Sequence, residues 1–124
     1  MKFLYLGIFG LLGVFVRYFI DAKYATNEVT FPTSTFALNM FGCLIAGIVS
    51  YFFNSRQDNF IAAAILIGFC GGLTTFSGFS LQTLNLFDQG LRSKAFIYFV
   101  ICPPIGLIMA YLGYQISSFF SFQN

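Results

Sequence analysis

Residues 68–80 read GFCGGLTTFSGFS, setting Thr74, Thr75, Ser77 and Ser80 beside the adjacent Gly71 and Gly72 within an otherwise apolar run. Hydroxyls and freed backbone groups of this kind are what a protein uses to replace the water around a small ion. Phe76 and Phe79 stand three residues apart, which puts them on one face of a helix. An aromatic ring has a negative face and a positive edge, so rings presented edge-on favour an anion without a formal charge. In a chain with 19 Phe the same pair also suits lipid contact or plain packing, and both readings stand. Asn39 lies in STFALNMFGCLIAG with Thr35 one helical turn before it, so an amide and a hydroxyl point the same way. Such groups in a membrane either bond neighbouring helices or line a pathway. Arg17, near the end of an earlier apolar run, either snorkels to the interface or lends positive potential to an anion entrance.

The elements that must position these residues are membrane helices. Of the 124 residues 58% are hydrophobic and 8% charged, against about 25% charged in soluble domains, and the mean hydropathy is +0.82. These values exclude a soluble protein. There is no His, which removes the usual proton shuttle and the commonest metal ligand and disfavours most enzyme chemistry. A net charge of +2 without a basic cluster speaks against a nucleic-acid partner. Cys43, Cys70 and Cys102 are far apart and embedded in apolar runs, so they read as small apolar residues and not as a metal pair or disulfide framework.

A span needs about 20 mainly apolar residues, and four segments qualify, at about 4–20, 36–53, 60–87 and 95–114. The first could pass for a signal peptide, but no small-x-small cleavage site follows it, and it reads as a retained span. Short polar connections leave no room for a soluble part, so the expectation is one four-helix membrane domain over residues 1–124. The third segment is longer than a bilayer needs. Its glycines and threonines, all weak helix formers, divide it into two apolar halves, which predicts a broken helix. Unwound backbone at that depth is tolerated only inside protein or around a wet cavity, where freed carbonyls suit a hard cation such as sodium. Gly71 and Gly72 alternatively serve only close helix packing. The acidic residues Asp21, Glu28, Asp58 and Asp88 all fall in connections or at segment ends. That argues against small multidrug exporters, which are four-helix proteins built around a buried Glu, and donors without carboxylates suit an anion.

GFCGGLTTFSGF closely resembles the signature of the CrcB/Fluc family of fluoride channels, whose third helix typically carries GxxGGxTTFSTF. GLLGVFVRY is similar to the family's first-helix pattern ending in Arg, and PTSTFALNMFGCLIAG to its GTLxVNxxGxxxxG second helix, so the resemblance covers nearly the whole chain. It implies an all-α membrane protein, its third helix broken near the middle, forming an antiparallel dimer with two fluoride pores in a bacterial cell membrane. It further implies a central sodium ion held by backbone oxygens of Gly71 and Thr74. Asn39 would donate its amide to fluoride, Phe76 and Phe79 would present ring edges with Ser77 beside them, Arg17 would face the vestibule, and Thr35 and Tyr98 would belong to a polar track. The physics is compatible, since a pore for strongly hydrated fluoride needs several uncharged donors that replace water yet still release the ion.

Four positions depart from the family pattern: Gly78 stands for the usual Thr, Gln82 for a common Glu, and Cys102 and Gly106 for serines of the polar track. They suggest an alternative, an obligate heterodimer with a paralogous subunit in which each chain need not supply both pores. Lys2 and Arg56 lie on the side of the termini, against Lys23, Arg92 and Lys94 on the other, a near balance that leaves dual and fixed insertion both open. Small-xxx-small pairs such as Gly42 with Ala46 and Gly106 with Ala110 are expected to seat neighbouring helices.

Overall fold

The computed structural model describes residues 2–24, 31–55 and 60–121. In chain order they form α1 (Lys2–Tyr24), α2 (Thr33–Ser55), α3 (Phe60–Ala63), a π-helical stretch (Ala64–Cys70), α4 (Gly71–Leu73), α5 (Phe76–Asp88) and α6 (Arg92–Ser121). Four spans are long and apolar enough to cross a bilayer, namely Lys2–Tyr24, Thr33–Tyr51, Phe60–Asp88 and Arg92–Ser121. The helices overrun the apolar windows at several ends because backbone hydrogen bonding continues where side chains such as Lys2, Lys23, Arg92 and Lys94 reach toward water. At about 1.5 Å per residue, the 30 residues of α6 exceed the hydrocarbon thickness even though Pro103 and Pro104 lie within it. Proline has no N–H, so the carbonyls four residues back, on Phe99 and Val100, lack their usual helical donor. Asp21 sits in the last turn of α1 and Asp88 ends α5, whereas Glu28, Arg56 and Asp58 lie outside the described residues.

Helices in lipid gain little from burying apolar surface against one another, so close packing must hold them together. The main seams are α2 against α6 and α1 against the π-helical stretch and α4. Glycine makes both possible. A Cβ on Gly72 would come within 2.6 Å of the Gly10 carbonyl, and one on Gly13 would overlap the Phe69 carbonyl. On the other seam a Cβ at Gly47 would overlap the Ala110 carbonyl, and one at Gly113 the Leu44 carbonyl. Ala110 is therefore a seam residue as expected, but its partner is Gly47, while Gly42 faces the Thr74 methyl and Gly106 faces Cys43 Sγ. Large apolar side chains such as Phe3, Leu4, Phe96 and Leu107 point outward, the reverse of a soluble core. A tight turn joins α5 to α6, where Gly90 has φ +78° and the Leu91 N–H bonds the Leu86 carbonyl at 2.9 Å in the manner of a Schellman cap.

Between α4 and α5 the backbone is extended at two residues, with Thr74 at φ −85°, ψ 152° and Thr75 at φ −146°, ψ 114°. The Thr75 N–H, which in a continuous α-helix would bond the Gly71 carbonyl, goes instead to Asn39 Oδ1 at 2.9 Å. The Thr75 hydroxyl caps α5 by accepting from Gly78 N at 2.9 Å, and the Thr74 hydroxyl donates back to the Cys70 carbonyl at 2.8 Å.

Candidate functional site

The extended pair opens onto a groove of about 460 Å³ walled by Asn39, Met40 and Cys43 of α2, Phe76 and Phe79 of α5, and Cys102 and Gly106 of α6. Asn39 is the best defined polar group in it. Its Oδ1 is committed to the Thr75 N–H, and an amide has two donors on the opposite atom, so that bond turns the NH₂ toward the groove, where it lies in hydrogen-bonding reach of the Cys102 thiol. From α6 the groove is lined by Cys102, Pro103, Gly106, Leu107 and Ala110, so the two substitutions noted in that helix do line the cavity and no hydroxyl comes from it.

The two phenylalanines share a helix and both line the groove, with ring centroids 5.8 Å apart, but their environments differ. Phe79 is 6% exposed whereas Phe76 is 81% exposed. Phe79 is held by the Tyr98 ring at 5.1 Å and the Phe99 ring at 6.3 Å, both from α6. Phe76 projects from the outer face of the chain.

One helical turn further along each helix lies a second polar layer. Thr35 precedes Asn39 by a turn on α2, Tyr98 precedes Cys102 by a turn on α6, and Gln82 follows Phe79 on α5. Gln82 Nε2 donates to Thr35 Oγ1 at 2.7 Å, and the Tyr98 hydroxyl donates to Gln82 Oε1 at 3.1 Å. Thr35 and Tyr98 are fully buried. Sequence reasoning treated Gln82 as a lost family residue and missed that it joins two of the expected track residues. Its position one turn beyond Phe79 was the available signal.

Of the remaining candidates, Arg17 Nη1 donates to the Thr74 carbonyl at 3.4 Å, so the guanidinium lies at the extended stretch. Ser77 is exposed, with its hydroxyl 3.1 Å from that of Thr75. Gly72 is a packing residue against α1, whereas a Cβ on Gly71 would meet nothing within 4 Å, and both are helical. The structure thus gathers Asn39, Thr74, Phe76 and Phe79 around one groove, with Thr35 and Tyr98 one turn away, Arg17 at its edge, and Gly71 and Ser77 on the outer surface.

The groove wall offers uncharged polar groups and two aromatic rings, with no carboxylate on it. Among the described residues no three His, Cys, Asp or Glu side chains converge to hold a metal. Comparison with known proteins agrees with an ion-conducting use. Residues 4–114 match the family model described as CrcB-like protein, Camphor Resistance (CrcB). The chain is 35% identical over 118 residues to the fluoride-specific ion channel FluC 2 of Rhodococcus jostii, covering 95% of this chain and 100% of that one. It is 37% identical over 124 residues to the fluoride-specific ion channel FluC 1 of Bacillus cereus, covering 94% of this chain and 88% of the other. It is 36% identical over 111 residues to the fluoride-specific ion channel FluC of Phocaeicola vulgatus, with 87% and 91% covered.

Proposed function

This chain belongs to the CrcB-like family, and with that as premise we propose that it is a subunit of a fluoride-selective channel that lets fluoride leave a bacterial cell passively. The observation that carries the reading is the orientation of Asn39, whose carbonyl oxygen is tied to Thr75 N at 2.9 Å and whose NH₂ is turned into the groove beside the Cys102 thiol, a weak acceptor that an anion would displace. Fluoride in this reading passes the Asn39 amide and the edges of Phe79 and Phe76, then the Thr35, Gln82 and Tyr98 layer, while Arg17 adds positive potential at the Thr74 end. Uncharged donors compensate part of the lost hydration without the deep trap that a fixed charge would create.

The two-residue extended stretch is read as the break of the third helix, and the assembly as an antiparallel dimer. The 81% exposure of Phe76 supports a partner, because a ring intended to line a pore would otherwise face lipid. Sodium at the dimer centre fits the donor set in kind: the Gly71 carbonyl has lost the Thr75 N–H as helical partner, and carbonyl oxygens are hard ligands. When bound, the ion would neutralise carbonyl dipoles where the two broken helices meet. Gly71 and Thr74 would supply the oxygens, and the Arg17 contact at 3.4 Å leaves the Thr74 carbonyl its second lone pair.

A second reading, an obligate heterodimer with a paralogous subunit, is favoured by the groove wall of Cys102 and Gly106, which lacks hydroxyls. The numbered names FluC 1 and FluC 2 among the relatives are compatible with paired genes. Fluoride and chloride efflux from liposomes holding this chain alone, with sodium present, tests both. Fast fluoride loss with chloride retained supports the self-sufficient channel. Silence that ends on adding a second family member supports the pair, and silence with every partner refutes the channel reading.

A further inference from the structure

We propose that Gln82 is a positioning residue for the anion path, and that its amide keeps one of two flanking hydroxyl protons available to a passing anion. The inference rests on the channel reading above. An amide is half donor and half acceptor. As oriented here it donates to Thr35 Oγ1 at 2.7 Å and accepts from the Tyr98 hydroxyl at 3.1 Å. Tyr98 therefore spends its only proton on Gln82, whereas Thr35 spends a lone pair and keeps its proton. Turning the amide over exchanges the roles of the two hydroxyls but still frees one of them. A carboxylate at position 82 behaves differently, because it accepts from both hydroxyls and leaves neither proton free.

Burial makes this bookkeeping matter. Thr35 and Tyr98 are fully buried, and the Tyr98 ring is wedged edge-on against Phe31 at 5.2 Å and tilted against Phe79 at 5.1 Å, so bulk water is kept from supplying substitute donors. The free proton sits one turn from the Asn39 amide on the same face of α2, which gives an anion a second donor on leaving the first. Gln82 thereby lengthens the donor track from a position that sequence reasoning had counted as a loss.

The test uses the full chain in liposomes, comparing fluoride efflux of Gln82→Glu, Gln82→Met and wild type between pH 6 and 8.5, each reported as a ratio to wild type at the same pH. Leakage of the neutral acid, measured on protein-free liposomes at each pH, is subtracted before the ratio is taken, and the ratio then cancels pH effects common to both proteins. It also cancels the titratable groups already near the cluster, which are Tyr98 and Cys102 from α6 and Asp21 at the end of α1, the latter two within electrostatic range of Tyr98; α2 contributes only Thr35 at this level. Burial raises a carboxyl's pKa toward neutrality, and a protonated carboxyl, like an amide, has one donor and one acceptor side. The expected result is that Gln82→Glu runs about tenfold below wild type at pH 8.5 and regains flux toward pH 6, while Gln82→Met is reduced at every pH by a constant factor; each tenfold is about 1.4 kcal/mol at the barrier. A Gln82→Glu ratio that is flat with pH overturns the inference and leaves Gln82 a structural tie. If Gln82→Glu fails to fold, Thr35→Val against Thr35→Ser decides: loss with Val and retention with Ser supports the free proton, and equal flux in both overturns it. A wild type that passes no fluoride with any partner refutes the channel reading itself, a result distinguishable from both.

Discussion

Replacing Asn39 with Asp changes the groove at a single atom. A carboxylate oxygen accepts from the Thr75 N–H as the amide oxygen does at 2.9 Å, so the tether that holds the extended stretch survives. What is lost is the NH₂, with an oxygen bearing negative charge in its place. A hydrogen bond to a charged group contributes about 1.5–3 kcal/mol, and two like charges about 4 Å apart repel by about 4 kcal/mol at an effective dielectric of about 20. With each tenfold in rate worth about 1.4 kcal/mol, fluoride flux should fall by at least about 10³. The assay is efflux followed by a fluoride electrode at pH 8.5, where a carboxyl raised by burial is still largely ionised, with size-exclusion chromatography reporting assembly. A monodisperse Asn39→Asp protein whose flux stays within tenfold of wild type would refute the reasoning and leave Asn39 as a helix tether only. Asn39→Ala is the poorer probe, since it removes the tether and the donor together.

The same geometry makes other variants informative. Phe76→Ile should cut fluoride flux while leaving thermal stability of the detergent-solubilised chain within about 0.5 kcal/mol of wild type, because that ring is exposed within the protomer; Phe79→Ile should lower both flux and melting temperature, because it removes the ring packed on Tyr98 and Phe99. Gly47→Leu should abolish the monodisperse peak by driving α2 away from the Ala110 carbonyl, whereas Gly7→Ala, where a Cβ meets nothing within 4 Å, should be neutral or stabilising by up to about 1 kcal/mol. Gly71→Leu should leave the protomer folded, since nothing lies near that Cβ, but reduce crosslinking between subunits and the stabilisation by sodium; Thr74→Val, which keeps the backbone carbonyl, should spare both. Unchanged crosslinking and sodium response in Gly71→Leu would remove that position from a subunit interface.

The four spans were legible in the chain because a bilayer demands about 20 apolar residues in a row, a local requirement that composition reveals directly. Of the weak helix formers singled out in the third span, Thr74 and Thr75 are extended while Gly71 and Gly72 stay helical, so local backbone preference narrowed the region without fixing the residues. Spacing likewise brought Thr35 and Asn39 to one face and set Phe76 and Phe79 on one helix. It did not reveal that Phe79 is buried and Phe76 exposed, because that difference comes from Tyr98 and Phe99 across the groove. The small residues were legible but their partners were not. Gly42 comes close to the Thr74 methyl while Gly47 meets the Ala110 carbonyl, since the rotation of α2 against its neighbours decides which small residue meets which helix.

By itself the sequence determined a helical protein with four apolar spans and a supply of neutral donors with no acid among them. Only the tertiary structure decided how those donors are aimed. Asn39 reaches Thr75 across 36 residues, and Gln82 reaches Thr35 across 47, so the way each amide is turned depends on contacts between helices that no local pattern encodes. Hydrogen-bond direction is set pair by pair, and the pairs exist only once the helices have packed.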